Sequence, residues 1–151
     1  MAERCRALLA GGCFWHVERD LRRLDGVLAT TAGYAGGDLE NPDYEQVCRG
    51  IGGHIEAVRV EFDPEKLDYA DLLRAFFDLH DPTDPYGQGP DRGPQYRSVV
   101  FYADNEQEKQ AEIALEALRR SGRYRRPVIT ELRPWTSFWP AEPEHQGRLR
   151  D

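Results

Sequence analysis

Short apolar runs and amphipathic stretches alternate along the chain, and their order predicts its elements. Arg6-Ala7-Leu8-Leu9-Ala10 is an apolar run stopped by Gly11-Gly12 and reads as a buried strand. From Phe14 onward, Val17, Leu21 and Leu24 recur on one helical face, and Asp25-Gly26 ends that helix. Val27 to Tyr34 is rich in Thr and aliphatic residues and predicts a second strand, followed by a Gly- and Pro-containing loop from Gly33 to Tyr44. Ile55 to Phe62 alternates, with Val58, Val60 and Phe62 on one face and Arg59 and Glu61 on the other. Asp68 can cap a helix whose apolar face is Tyr69, Leu72, Leu73 and Phe76. His80 to Gln95 reads as one long loop, of a length that usually serves function. Arg97 to Tyr102 predicts a strand. Asp104 with Gln107 predicts a capping box opening a helix that buries Ala111, Ala114, Leu115 and Leu118 and stops at Gly122. Val128 to Leu132 predicts a last strand before an irregular, Pro-containing tail.

The predicted order is β-α-β-β-α-β-α-β. Strand–helix–strand units flanking an adjacent strand pair indicate an α+β fold. The expectation is a two-layer mixed-sheet sandwich, ferredoxin-like with a split β-α-β core and extra C-terminal elements. With 151 residues, one domain over 1–151 is expected.

Composition narrows the function classes. A hydrophobic fraction of 40% with 16 aromatic residues excludes a disordered chain. No run approaches the roughly 18 consecutive apolar residues of a spanning helix, so no membrane partner is expected. The net charge of -7 argues against a nucleic-acid partner, which would need clustered cations. Much of that charge lies in residues 38–91, where apolar residues interrupt the acids, so the block reads as folded with a solvated acidic face. Cys5, Cys13 and Cys48 are too few and odd in number for a disulfide scaffold. The first residues carry no apolar core of signal-peptide length. A soluble monomer in a reducing, cytoplasmic compartment is the expectation.

The thiols then acquire a chemical reading. In Gly11-Gly12-Cys13-Phe14-Trp15-His16-Val17-Glu18, two glycines end a strand and Cys13 falls at the start of a helix. Unpaired N–H groups and the helix dipole there favour an anion, which would lower the thiol pKa. The alternative is a small, unreactive buried cysteine. Phe14 and Trp15 are two large aromatics beside the sulfur; they line a pocket or simply fill the core.

Gly12-Cys13-Phe14-Trp15 followed by Glu18 resembles the signature of the A-type peptide methionine sulfoxide reductases. Further segments follow in the same order: Gly33-Tyr34-Ala35-Gly36-Gly37, Asn41-Pro42-Asp43-Tyr44 with Val47-Cys48, and Gly53-His54-Ile55-Glu56-Ala57-Val58. Asp91, Gly93 and Gln95-Tyr96-Arg97-Ser98 come next, and Pro140-Ala141-Glu142 with His145-Gln146 close the series. The resemblance implies thiol-dependent reduction of the S-epimer of methionine sulfoxide, in proteins and free, to methionine. It assigns the nucleophile to Cys13 and the acid to Glu56, which on the alternating strand alone would read as an outward residue. It gives hydrogen bonding of the sulfoxide oxygen to Tyr44 and Tyr96, an orienting role to Asp91 and the apolar wall for the substrate methyl to Phe14 and Trp15. His54 is expected to shape the loop before Glu56. His16 departs from the small residue common at that place and is carried as a modulator of the thiol or as an ordinary surface residue.

The reaction leaves a sulfenic acid on Cys13. Many members of the family carry resolving cysteines in a C-terminal tail, and here no cysteine follows Cys48. Cys5 is eight residues before Cys13 and too far along an extended strand to bridge it. Cys48 is the remaining internal candidate. The expected reductant is an external thiol, thioredoxin or glutathione with glutaredoxin, with no bound cofactor and no metal. Two rival readings remain: a zinc module built from Cys13, His16, Cys48 and His54, and a cysteine hydrolase or transferase with His54 or His145 as base. A third, a non-catalytic reader of methionine-containing peptides, would keep the pocket without turnover.

Overall fold

The computed structural model describes residues 4–149. Its frame is a six-stranded sheet. β1 (Cys5–Gly11) is antiparallel to both β3 (Ile55–Phe62) and β6 (Ser98–Tyr102), and β2 (Val27–Ala35) is antiparallel to β3. β7 (Glu131–Pro134) adds in parallel to β6, and β8 (Trp139–Pro140) adds antiparallel to β2. The order is β7-β6-β1-β3-β2-β8. β1 and β2 run the same way with β3 between them, which is the split β-α-β arrangement, and the single parallel pair makes the sheet mixed. The α+β expectation holds.

The continuous apolar run of β1 is explained by its central place. Ala7 and Leu9 join Val58, Val60, Phe62 and Val100 under the helices. Leu8 and Ala10 join Ile55, Ala57, Val99 and Phe101 on the other face, where Trp135 and Phe138 cover them. A strand buried on both faces loses its alternation. α1 (Phe14–Arg22), α3 (Tyr69–Asp78) and α4 (Asn105–Arg120) pack on the first face through Phe14, Val17, Leu21, Leu72, Leu73, Phe76, Ala111 and Leu115.

Several local expectations need correction. The loop before Tyr44 ends in a short helix, α2 (Tyr44–Cys48), opened by a capping box between Asp43 and Gln46. Asp104 does accept the Gln107 N–H, but the Gln107 side chain accepts from Ala103 and donates to the Arg6 carbonyl instead of completing a box. The long loop after His80 holds a small hairpin, β4 (Gly87–Gln88) with β5 (Asp91–Arg92), and a 3-10 turn at Pro94–Tyr96. The last predicted strand begins later, at Glu131, because Val128 to Thr130 lies outside regular pairing. The irregular tail contributes β8.

Gly12 links β1 to α1. Its φ is +106°, and a Cβ there would lie 2.8 Å from the Gln88 side chain. Gln88 in turn clamps Asp81 through both the backbone N–H and the carbonyl. Gly12→Ala should therefore strain the junction and displace the hairpin. Urea unfolding is expected to show a loss of about 1–3 kcal/mol.

Candidate active site

Cys13 sits at the N-cap of α1. Its carbonyl accepts from the His16 and Val17 amides, and its sulfur faces the Trp15 and His16 amides at the helix start. Behind it lies Glu56. Glu56 has the same strand parity as Val58, Val60 and Phe62, so it points to the helix side of the sheet and is 1% exposed. The outward reading of Glu56 is corrected by the alternation itself. Glu56 Oε1 accepts the Phe14 amide at 3.1 Å, tying β3 to the first turn of α1. Oε2 is buried and has no hydrogen-bond partner among the described residues.

Burial pushes the Glu56 carboxyl up to about 8, the Phe14 amide opposes the rise, and Asp91 adds to it. The expected low thiol pKa at Cys13 is also corrected. Burial pushes it up to about 11, and the Glu56 charge adds to that rise. The Trp15 and His16 amides do favour the thiolate, as a helix start should, but they are outweighed. When Glu56 carries its proton, its contribution to that rise vanishes.

Tyr44 and Tyr96 approach from α2 and from the turn before β6. The Tyr44 hydroxyl meets the exposed Cys48 thiol. Tyr96 is half-buried, within electrostatic reach of Glu56, Cys48, Asp91 and Cys13. Burial raises both phenols, so they remain donors. Asp91 lies on β5, half-buried, with a carboxylate oxygen within 4.8 Å of the Cys13 sulfur.

Phe14 and Trp15 belong to one aromatic cluster. Phe14 is fully buried against Tyr34 and Tyr44 at ring distances of 5.7 and 6.2 Å, so it backs the wall. Trp15 is half-buried and lies nearly parallel to Tyr44 at 6.0 Å. The tail holds this wall in place. Trp15 Nε1 donates to His145 Nδ1 at 3.1 Å, and the His145 ring faces Tyr44 at 4.3 Å. Glu142 accepts from the Tyr34 hydroxyl and the Tyr44 amide at 2.8 and 3.0 Å. Arg148 lies over the Trp15 ring at 4.4 Å. Reasoning from sequence gave Glu142 and His145 no place in this wall; their spacing in an irregular tail carries no periodicity to reveal one.

The remaining candidates separate. His54 uses both ring nitrogens on Gly37 and Leu39, and so shapes the loop before β3. Those bonds leave it unable to act as a metal ligand or base. His145 is engaged by Trp15. The four-residue zinc set is thus not assembled, and the hydrolase reading loses its two named bases. Cys5 starts β1 and Cys13 follows its end, roughly 20 Å or more apart along an extended strand. His16 is exposed at the first turn of α1.

A thiol at a helix start, above a buried carboxyl with one unpaired oxygen and beside an aromatic wall, defines a thiol-based redox enzyme site. The family profile described as "Peptide methionine sulfoxide reductase" matches residues 5–150. A peptide methionine sulfoxide reductase MsrA of Geobacter sulfurreducens is 52% identical over 144 residues, covering 95% of this chain and 89% of that protein. The crystal structure of reduced Mxr1 from Saccharomyces cerevisiae superposes with a TM-score of 0.87 at 31% identity, over 97% of this chain and 84% of that one. Methionine sulfoxide reductase A of Corynebacterium diphtheriae matches with a TM-score of 0.84 at 34% identity, over 97% and 74%. The chain belongs to the peptide methionine sulfoxide reductase family, and it is an oxidoreductase of that type.

The Glu56 proton has a consequence for stability. Its folded pKa, about 8, lies above the ordinary carboxyl value, so the folded chain keeps a proton that the unfolded chain loses. Stability falls as pH rises from the unfolded value toward the folded one. Glu56→Gln stays neutral and lacks that dependence. Its melting temperature should gain on the parent's as pH is raised from about 5 to about 8.5, by the equivalent of a few kcal/mol; thermal unfolding across pH measures this.

Proposed function

We propose that the chain reduces the S-epimer of methionine sulfoxide, in proteins and as the free amino acid, by attack of Cys13 on the sulfoxide sulfur. The observation that supports it best is the unpaired, buried Oε2 of Glu56 beside a helix-start thiol. A protonated carboxyl in that place has a hydrogen bond to give and no partner among the described residues to take it. A sulfoxide oxygen is such a partner.

The step balances without an added proton. Glu56 donates its proton to the sulfoxide oxygen and takes up the proton that leaves the Cys13 thiol. The thiolate sulfur bonds to the sulfoxide sulfur as the S=O bond becomes S–OH. The hydroxyl then passes to Cys13 as the S–S bond breaks. Methionine leaves, reduced by two electrons, and Cys13 is left as a sulfenic acid, oxidised by two. Protonated Glu56 serves twice, since the neutral form also relieves the charge that opposes the thiolate. Tyr44 and Tyr96 donate to the oxygen as negative charge develops on it, and the Asp91 charge, which raises both Tyr96 and Glu56, helps to keep their protons in place. Trp15, backed by Phe14, receives the substrate methyl.

An external thiol then condenses with the sulfenic acid, releasing water and leaving a mixed disulfide, which a second thiol breaks. We assign this to thioredoxin or to glutathione with glutaredoxin, in a cytoplasmic setting. Mxr1 is also solved in complex with Trx2, which supports a protein thiol donor. Among the described residues no helix is long and apolar enough to cross a membrane.

With dithiothreitol as reductant, the chain should consume S- but not R-methionine sulfoxide, and Cys13→Ser should abolish the reaction. Loss of neither epimer refutes the reading. Glu56→Gln should lower kcat/KM by about 10²–10⁴-fold. Cys48→Ser should retain turnover with thioredoxin or glutathione. A variant that stops after one stoichiometric reduction would assign resolution to Cys48 instead.

A further inference from the structure

Cys13 opens onto a second environment. A cleft of about 320 Å³ passes the thiol and is lined by His16, Leu79, Gln88, Pro90 and Asp91, without Trp15, Tyr44 or Tyr96. Within it the Cys13 sulfur, a His16 ring nitrogen and an Asp91 carboxylate oxygen all lie within 4.8 Å of one another. Two of these groups share the first turn of α1, three residues apart, and the third comes from the hairpin strand β5.

The histidines differ in what their nitrogens do. His54 and His80 each use both, and His145 accepts from Trp15. His16 alone is exposed, and among the described residues it makes no side-chain hydrogen bond or ion pair. The Asp91 carboxylate likewise has no hydrogen bond or ion pair among them. Three convergent donors of thiol, imidazole and carboxylate type, two of them anionic when bound, suit a borderline-soft dication. Tetrahedral ligands of zinc stand about 3.3–3.6 Å apart. A spread of at most 4.8 Å closes to that by rotation of the exposed His16 side chain and of the Asp91 carboxylate.

We propose that Cys13, His16 and Asp91 form a three-ligand site for a divalent cation of the zinc class, with solvent in the fourth position, and that metal bound there caps the thiol. Binding stands apart from the reduction chemistry. Its consequence, reversible inhibition of sulfoxide reduction, rests on the function proposed above, because both need the same sulfur. The site also differs in kind from a structural zinc module, which closes all four positions with protein ligands.

The test is metal binding read without substrate. Zinc ion alone, titrated into the reduced chain against a chromogenic chelator, should bind at one per chain. Cobalt(II) alone should give a thiolate-to-metal charge-transfer band that Cys13→Ser removes. His16→Ala should weaken zinc binding by about tenfold or more. His16→Gln keeps the side chain's bulk without a ring nitrogen and should repeat the loss. One-to-one binding with that His16 dependence supports the site. No stoichiometric binding, undiminished affinity in both His16 variants, or a cobalt spectrum without the sulfur band would overturn it. A chain that binds zinc in this way but reduces no sulfoxide keeps the metal site and loses only the proposed function.

Discussion

The hydrogen bond from the Phe14 amide to Glu56 Oε1 is the contact on which the site's arrangement depends. It joins the centre of the sheet to the first turn of α1, and so fixes where Cys13 stands over the carboxyl. It also sets a contest. Burial drives Glu56 toward its neutral form, while a donated amide proton favours the ion. Burial wins, and the acid titrates near 8. One amide bond is enough to orient the group without ionising it. A second donor on Oε2 would have stabilised the carboxylate and removed the proton that the proposed chemistry uses. Oε2 meets no donor among the described residues, and in the proposed mechanism the substrate oxygen is the group that meets it.

The aromatic wall depends on a different economy. Phe14 is locked into the core, but Trp15 and Tyr44 are only half-buried, and packing alone would leave their rings loosely held. The tail supplies what the core does not. Gln146 exchanges hydrogen bonds with both the N–H and the carbonyl of Ala32, acting as a strand partner through its side chain. Glu18, buried in α1, accepts from the Gly147 amide and from Thr30. These bonds fasten the tail to β2 and α1, and from there Glu142 and His145 reach Tyr44 and Trp15. Polar contacts thus place an apolar surface, as a pocket that must stay open requires.

This division explains what could be read from the sequence. The helix faces led by Val17, Leu72 and Leu115 and the apolar run of β1 follow from burial, which is written as periodicity, and so the sheet and its three longer helices were legible. The strand parity of Glu56 was equally present: it matches Val58 and Val60, and only its charge suggested an outward position. The hairpin at Gly87–Arg92 was not legible, because its strands are two residues long and Gln88 is held by side-chain bonds to the Asp81 backbone. The tail's part in the wall was not legible for the same reason. Glu142, His145 and Gln146 act through one or two long-range hydrogen bonds each, which leave no repeating signal.

The thiol shows where a local rule yields to its surroundings. A cysteine at a helix start should ionise readily, and the Trp15 and His16 amides do act that way. Burial and the neighbouring carboxylate charge override them, so the thiol stays protonated at rest. Two anions held this close exclude one another, and the pair keeps its last proton over a wide pH range. That proton can reside on sulfur or on the carboxyl. In the proposed mechanism a bound sulfoxide tips the balance, because its oxygen rewards a proton on Glu56 and its sulfur rewards a thiolate at Cys13. In this arrangement the nucleophile is not kept permanently reactive. On that proposal it becomes so only when the substrate supplies an acceptor for Oε2, and a thiol held protonated until then is a weaker target for other oxidants, so reactivity would be controlled from the carboxyl.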